Sequence, residues 1–164
     1  MIKIKFIKHR SLRLIDLEKI VKFKKTFWNF TTLSQKKFLE KNSMPQDIHL
    51  LILKNKELIG YTFLNFRKIN IGKKKLVAVI VDNVLIKKKF RGKLGVKLIK
   101  LINNKIKRLK KIGILICSEK LINFYKFFKW RILDKKKITT FPKTSLKIMV
   151  FNYNYKMPLT KIYF

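Results

Sequence analysis

The fold is decided by residues 83–99, which read NVLIKKKFRGKLGVKLI. An apolar stretch comes first, a basic stretch containing Gly92 follows, and apolar residues then recur at the spacing of a helix. This order predicts a buried strand, a short glycine-containing loop and an amphipathic helix in immediate succession. The first backbone N–H groups of such a helix lack partners within the helix, and the helix dipole makes that end attractive to anions. The segment therefore predicts an anion-binding loop.

The side chains of this loop suit a phosphate group. Gly92 and Gly95 let an anion approach the backbone closely. Arg91 and Lys93 add charged hydrogen bonds of about 1.5–3 kcal/mol each. The residues alone leave one alternative open, in which the two glycines only shape the turn from strand to helix.

The same periodicity arguments, extended outward, predict the element order β-α-α-β-β-β-α-β-α-β-β. The predicted strands cover residues 2–8, 48–53, 58–66, 76–86, 114–117, 131–134 and 145–153. The predicted helices cover residues 11–25, 32–45, 94–111 and 119–128. Ser11 is the predicted N-cap of the first helix, Thr32 and Gln35 form a capping box in the second, and Gly113 ends the third. Because residues 76–117 form a strand–helix–strand unit, those two strands are expected to be parallel, with a right-handed crossover.

Composition restricts the class of protein. The chain has 164 residues, 48% of them apolar, which predicts one domain with a packed core. Its one cysteine, Cys117, excludes an internal disulfide, and no Cys/His cluster offers a metal site. The longest apolar run, residues 76–81, is too short for a membrane span, and residues 1–8 alternate instead of forming the apolar core of a signal peptide. We therefore expect a soluble, cytoplasmic protein without a metal.

The net charge of +34, from 42 Lys+Arg and 8 Asp+Glu, predicts an anionic partner. Nucleic acid, the ribosome, an acidic membrane surface and a phosphorylated cofactor all fit this charge. Codon bias is the alternative explanation, because Lys, Asn, Ile, Phe and Tyr all have A/T-rich codons. The lysine blocks at residues 73–75, 87–89, 110–111 and 135–137 lie in no recognisable nucleic-acid motif.

Four segments, in order along the chain, resemble those of GNAT-family N-acetyltransferases. The stretch Asn-Val-x-Ile followed by Arg-Gly-Lys is similar to the family's acetyl-CoA motif, Arg/Gln-x-x-Gly-x-Gly/Ala. Residues 123–130, NFYKFFKW, resemble its closing Phe-Tyr-x-x-x-Gly-Trp/Phe, and the spacing from Cys117 is similar to that in aminoglycoside 2′-N-acetyltransferase-like members. Residues 47–51 and 57–61 resemble its second and third strands.

The resemblance covers residues 1–153 as a single domain and leaves residues 154–164 as a C-terminal tail. It implies an α+β fold in three layers. A mixed, mostly antiparallel sheet of six to seven strands would contain one splayed parallel pair and be flanked by about four helices.

The resemblance also implies acetyl-CoA as acyl donor. The backbone of Val84, Leu85 and Ile86 would pair with the pantetheine arm, and a strand N–H near Leu85 would stabilise the oxyanion. The thioester would enter between the strands 76–86 and 114–117. The pyrophosphate would be held by the loop residues Arg91, Gly92, Lys93, Leu94, Gly95 and Val96.

The resemblance implies direct attack by a primary amine, with Tyr125 as the proton donor to the departing thiolate. A packed aromatic residue is the alternative role for Tyr125. For the general base, Asp82 is the first candidate, because an unpaired carboxylate that interrupts an apolar strand would have a raised pKa. Asp47, His49 and Glu119 are the alternatives. Cys117 is expected to be a small buried apolar group.

Two departures from the family pattern matter. The loop is one glycine short of Arg-Gly-x-Gly-x-Gly, and Lys129 stands where a glycine usually precedes the aromatic residue. The short loop and the charge support a second interpretation, a catalytically degenerate domain that binds nucleic acid or the ribosome as a structural protein.

The acceptor amine, on a small molecule or a protein, is not identified by any motif. The basic surface favours acceptors carried on an anion, such as a nucleotide-linked amine or a charged tRNA. A homodimer is left open.

Overall fold

The computed structural model describes residues 1–71, 74–133, 146–153 and 159–162. These residues group into two compact units. Unit 1 comprises residues 1–65 and 83–95, and unit 2 comprises residues 66–82 and the described part of 96–164. Two long strands contribute residues to both units.

The described helices and strands follow the predicted order. The strands are β1 (Ile2–Lys8), β2 (Ile48–Lys54), β3 (Glu57–Ile71), β4 (Lys74–Ile86), β5 (Gly113–Cys117), β6 (Arg131–Leu133), β7 (Lys147–Phe151) and β8 (Leu159–Ile162). The helices are α1 (Leu14–Lys25), α2 (Thr32–Asn42), α3 (Lys93–Arg108) and α4 (Ile122–Phe127). Short 3₁₀ turns cover His9–Ser11, Lys88–Phe90 and Glu119–Leu121. None of the described helices is long and apolar enough to cross a lipid bilayer.

The strands form one mixed sheet with the order β1-β2-β3-β4-β5-β7-β6, and β8 pairs with β3. The pairing of β4 with β5 is parallel, with Val79 opposite Gly113 and Val81 opposite Leu115. The pairs β1/β2, β2/β3, β3/β8, β5/β7 and β6/β7 are antiparallel. The predicted fold class, a mostly antiparallel sheet with one parallel pair and four helices, is confirmed.

Strand β8 lies in the segment that the sequence assigned to a C-terminal tail. Its residues pair with the end of β3, where Ile162 lies opposite Ile69. Four residues carry too short an apolar pattern to predict a strand, and their partner is far away along the chain. The last part of the predicted strand 131–134 and the first residue of the strand 145–153 lie outside the described residues.

Unit 1 has a core between its helices and its part of the sheet. Strand β2 is buried on both faces, with all of residues 48–53 buried. Helix α1 contributes Ile20, Val21 and Phe23, and α2 contributes Leu39. They pack against the strand residues Leu51, Leu53, Leu58, Tyr61, Phe63 and Leu85. This apolar burial accounts for the continuous apolar runs that the sequence shows in this region.

Unit 2 has a separate core. Its cluster consists of Ile69, Ala78, Ile80, Ile114, Leu133, Ile148 and Val150. The buried aromatic ring of Trp130 packs against Gly113 at the start of β5. A Cβ atom at Gly113 would lie 2.7 Å from Ile106 and 2.9 Å from Trp130, so only glycine fits there. Gly113 is the first residue of β5, and α3 ends earlier, at Arg108. The prediction that Gly113 ends this helix is therefore wrong.

Most predicted helix boundaries differ from the observed ones by one to three residues. Ser11 lies in a 3₁₀ turn, and the N-cap of α1 is Arg13, whose Nε donates to Asp16 at 3.0 Å. Thr31, and not Thr32, caps α2, because its hydroxyl oxygen accepts the N–H of Ser34 at 3.1 Å. Helix α3 ends at Arg108, before Lys110 adopts a left-handed φ of 51°.

Candidate functional site

The regular backbone conformation of β4 is interrupted near its end, at Asn83. Its φ of 55° is left-handed, a conformation that asparagine tolerates and that is foreign to a regular strand. Such a residue disrupts the ladder of hydrogen bonds and bends the strand locally. After it, Val84 is half-buried, and Leu85 and Ile86 are buried. The backbone of these three residues is the segment that the resemblance assigns to the pantetheine arm.

The loop after β4 is held by backbone hydrogen bonds. The N–H of Lys87 donates to the carbonyl of Ile59 at 3.0 Å, and the N–H of Phe90 donates to the carbonyl of Lys87 at 2.8 Å. The turn ends at Gly92, whose φ of 71° is left-handed. A Cβ at this position would meet no atom within 4 Å, so the space above the Gly92 backbone is open.

Helix α3 starts directly after Gly92, at Lys93. Leu94 in the first turn of the helix is buried, while Arg91 and Lys93 are exposed. The first turn of the helix therefore presents its backbone N–H groups beside two cationic side chains. An open backbone, a helix N-terminus and two cations together form a surface that suits an anion.

Three lysines near this loop contact an acidic or an aromatic side chain. Lys87 pairs with Glu57, and the hydrogen bond from Lys87 holds the pKa of that carboxyl below its usual range. The Nζ atoms of Lys54 and Lys89 lie 5.1 and 5.2 Å from the centroid of the Phe90 ring. Sequence reasoning missed this aromatic contact, although Phe90 inside a run of cations is the signal for it.

Tyr125 on α4 is buried in unit 2, with 4% of its surface exposed. Its ring makes edge contacts with Phe124 at 5.4 Å and Trp130 at 6.3 Å between centroids. Burial, and to a lesser extent the neighbouring Cys117, raises the pKa of Tyr125 to about 12. The phenol is therefore protonated throughout the neutral range and available as a hydrogen-bond donor.

Cys117 is also buried, and its Sγ lies 3.6 Å from the Sδ of Met149. Burial raises the pKa of its thiol. A protonated thiol among apolar groups is not a nucleophile, which agrees with the small apolar role expected from the sequence.

The candidate bases occupy different environments. Asp82 is half-buried and interacts with neighbouring groups, so the expectation of an unpaired carboxylate is not met. Asp47 is fully buried, and its Oδ2 accepts the backbone N–H of Met44 at 2.8 Å, which fixes the turn before β2. Glu119 is ion-paired with Lys147 at 2.9 Å.

His49 lies in a buried chain of polar groups in unit 1. One ring nitrogen lies 3.0 Å from Nδ1 of His9, the other lies 2.9 Å from the Tyr61 hydroxyl, and the ring stacks on Phe63. Burial, followed by the nearby His9 and Lys24, lowers the pKa of His49 to about 3. Both nitrogens are engaged and the ring is a weak base, so its contacts are those of a core residue.

The structure thus brings the predicted site residues together in two groups. In unit 1, Val84 to Gly95 form one continuous strand end, turn and helix start. In unit 2, Tyr125 and Cys117 are close enough for the charge of one to affect the pKa of the other. Among the described residues, no cluster of His, Cys, Asp and Glu could hold a metal ion.

Comparisons with known proteins find similarity in structure and not in sequence. No family model and no curated protein matches the chain. A GNAT family N-acetyltransferase from Escherichia coli, solved in complex with CoA, is similar with a TM-score of 0.69 and 13% identity, over 99% of this chain and 87% of that one. An acyl-CoA N-acyltransferase from Pseudomonas aeruginosa gives 0.67 and 13%, over 92% and 97%.

An aminoglycoside 6′-N-acetyltransferase complexed with coenzyme A is similar with a TM-score of 0.63 and 10% identity, over 90% of this chain and 96% of that one. These similarities establish the acyl-CoA N-acyltransferase fold that the resemblance implied. The narrower resemblance to 2′-N-acetyltransferases receives no support, since the aminoglycoside-modifying structure in this group is a 6′-enzyme.

Proposed function

We propose that the protein is a cytoplasmic, acetyl-CoA-dependent N-acetyltransferase that acylates a primary amine. One observation carries this proposal. In a chain with the acyl-CoA N-acyltransferase fold, α3 begins immediately after an open, left-handed Gly92, between the exposed side chains of Arg91 and Lys93. This combination is suited to binding an anion. Two structures with a similar fold, both solved with bound CoA, are described as acetyltransferases.

The chain's own residues would hold the donor in two places. The backbone at Val84, Leu85 and Ile86 would pair with the amides of the pantetheine arm, as in an added strand. The backbone N–H groups from Arg91 to Val96, with the Arg91 and Lys93 side chains, would bind the diphosphate. When bound, acetyl-CoA supplies an activated acyl group. A strand N–H near Leu85 would stabilise negative charge that develops on the carbonyl oxygen during attack.

Tyr125 is the proposed proton donor to the leaving thiolate. With a pKa of about 12, its phenol keeps its proton at neutral pH. Full transfer to a thiolate of pKa about 8.5 would be uphill by about 5 kcal/mol. We therefore assign Tyr125 a hydrogen bond that stabilises the developing thiolate. Its proton would pass to the sulfur only as the C–S bond breaks, and water would return a proton to the phenolate before the next turnover.

Asp82 is the proposed general base. Its side chain is half-buried, whereas Asp47 is fully buried in a turn, Glu119 is ion-paired and His49 is a weak base in the core. Half-burial leaves Asp82 able to exchange a proton with water, which a base must do in every turnover.

The acceptor is proposed to be an amine carried on an anion, such as a nucleotide-linked amine or a charged tRNA. With 42 cationic and 8 acidic side chains, the surface repels polycations such as aminoglycosides and attracts anions. The same charge favours the second candidate, a domain that has lost catalysis and binds nucleic acid or the ribosome. The short loop is the specific observation behind this alternative.

The test compares two isosteric substitutions at one residue. Asp and Asn both tolerate a left-handed φ, so Gly92→Asp and Gly92→Asn strain the backbone equally and differ in one charge. We expect calorimetric affinity for acetyl-CoA to fall about 30-fold or more in Gly92→Asp and much less in Gly92→Asn. Equal affinities in the two variants would mean that the diphosphate site lies elsewhere, and no binding by the unmodified protein would favour the catalytically inactive alternative.

A further inference from the structure

A cavity lies in unit 2, and none of its described lining residues is among those assigned to acetyl-CoA. It has a volume of about 550 Å³, within the range of small-molecule sites. Its lining comes from the end of α3, the turn after α4, β6 and the end of β7. The lining residues are Lys107, Lys129, Arg131, Val150, Phe151, Asn152 and Tyr153, and we call this site the basic cavity.

The rim of the basic cavity is cationic. Lys107, Lys129 and Arg131 come from three different elements and all have exposed side chains. None of the seven described lining residues is acidic. Three cations that converge on one concave surface form a site for a group with concentrated negative charge, such as a phosphate.

The floor of the basic cavity is aromatic. Phe151 is buried and stacks on Trp130, with 5.3 Å between ring centroids. The Nζ of Lys107 lies 5.8 Å from the centroid of the Phe151 ring, which holds this cation over the floor. Tyr153, half-buried, adds a second ring. Aromatic surface beside cations suits a planar ring that carries a phosphate.

One polar group of the lining is oriented for recognition. The amide nitrogen of Asn152 donates to the backbone carbonyl of Lys111 at 2.8 Å. This bond fixes the amide, whose oxygen can then accept a hydrogen bond from the edge of a ring.

The backbone of the cavity is strained at two of its lining residues. Lys129 has a φ of 67° and Asn152 a φ of 57°. Lys129 follows the end of α4, where its N–H donates to the carbonyl of Lys126 at 2.9 Å, and glycine is the residue that this position normally favours. A lysine there costs stability, and a residue that keeps such a conformation often has a functional reason.

We propose that the basic cavity binds a nucleotide unit. The phosphate would contact Lys107, Lys129 and Arg131, and the base would lie against Tyr153 with its edge at the Asn152 amide. This unit is either a free mononucleotide or one residue of a single-stranded RNA. The net charge of +34 favours the RNA, because further phosphates along a strand would gain from the surrounding cations.

Three lysines make a matched experiment possible. Lys56, Lys110 and Lys129 all have left-handed φ values, of 65°, 51° and 67°, and all have exposed side chains. Only Lys129 lines the basic cavity. Each Lys→Gly substitution removes one positive charge and relieves the same kind of strain, so each variant is expected to unfold at a temperature at or above that of the unmodified protein.

The measurement is the fluorescence anisotropy of a labelled ten-residue oligouridylate at several KCl concentrations. We expect Lys129→Gly to weaken binding about fivefold or more and to reduce the slope of log Kd against log salt by about 0.7. Lys56→Gly and Lys110→Gly should weaken it less than about twofold. Equal losses in all three variants, or no loss in Lys129→Gly, would overturn the proposal.

Two further arms identify the ligand and separate this site from the acetyl-CoA site. Calorimetry with uridine monophosphate, adenosine monophosphate and inorganic phosphate shows whether a free nucleotide suffices. Binding of a mononucleotide or of the RNA supports the proposal, whereas binding of neither overturns it. Gly92→Asp should bind RNA within about twofold of the unmodified affinity. A loss in Gly92→Asp as large as that in Lys129→Gly would place the nucleotide at the α3 loop instead and refute the basic cavity as its site.

Discussion

At the scale of single residues, burial raises the pKa of Tyr125, the proposed proton donor, to about 12. We expect Tyr125→Phe to lower kcat by about 10- to 1,000-fold while the affinity for acetyl-CoA stays near that of the unmodified protein, because the substitution removes one hydroxyl and keeps the ring contacts. The measurement is steady-state kinetics of acetyl transfer, together with calorimetry of acetyl-CoA binding.

Tyr61→Phe is the matched control, since it removes another buried hydroxyl, the one 2.9 Å from His49. That variant is expected to lose stability and to keep its turnover. If Tyr125→Phe and Tyr61→Phe turned over at the same rate, Tyr125 would be a packing residue only.

The positive φ values show which single residues the sequence could and could not reveal. Asn83 and Gly92 stand out in the sequence, because one interrupts an apolar strand and the other lies in a basic loop. Both residues have a left-handed backbone, which asparagine and glycine tolerate better than other residue types. Lys129 was noted in the sequence as a lysine at a position where glycine is usual. Its convergence with Lys107 and Arg131 could not be predicted, because these residues come together only through tertiary structure.

At the scale of elements, the strand, loop and helix at residues 83–99 are predictable because an apolar stretch, a basic stretch and apolar residues at helical spacing follow one another. Helix ends were less predictable, because a cap depends on the conformation of one residue. Thr31 and Thr32 are equally good capping residues in the sequence, and only the hydroxyl of Thr31 reaches the N–H of Ser34. Strand β8 depends on pairing with β3, which no local pattern encodes.

Asn103 connects α3 to the elements that follow α4. Its amide oxygen accepts from the indole Nε1 of Trp130 at 2.9 Å, and its amide nitrogen donates to the carbonyl of Phe128 at 3.0 Å. All three groups are buried. We expect Asn103→Leu to lower the free energy of unfolding by about 2–4 kcal/mol, because both the indole N–H and the carbonyl would lose their partner in the interior.

The adjacent Asn104 provides the control for this substitution, because it has the same residue type on the same helix and an exposed side chain. Urea unfolding of Asn104→Leu should differ from the unmodified protein by less than about 0.5 kcal/mol. Similar losses in the two variants would mean that the buried hydrogen bonds of Asn103 contribute no more to stability than an exposed position of α3 does.

At the scale of the whole molecule, the charge is the dominant feature. The 42 cationic side chains outnumber the 8 acidic ones, and some of the described acidic groups already lie in ion pairs, as in the pair of Arg13 with Asp16 at 3.0 Å. Folding brings the remaining cations closer together than they are in the unfolded chain. Self-repulsion must therefore destabilise the folded state at low ionic strength.

This repulsion predicts how stability depends on salt. The Debye length falls from about 10 Å at 0.1 M to about 3 Å at 1 M, so added NaCl screens distant cations while the apolar cores are little affected. We expect the free energy of unfolding in urea to rise by at least about 1 kcal/mol between 0.1 and 1 M NaCl. Urea is the denaturant of choice because guanidinium would itself screen the charges, and sucrose at equal osmolality controls for solute exclusion. A fall in stability with NaCl would show that the few ion pairs outweigh the repulsion among the cations. In that case the positive surface would not oppose folding, and a bound anion would have no repulsion to relieve.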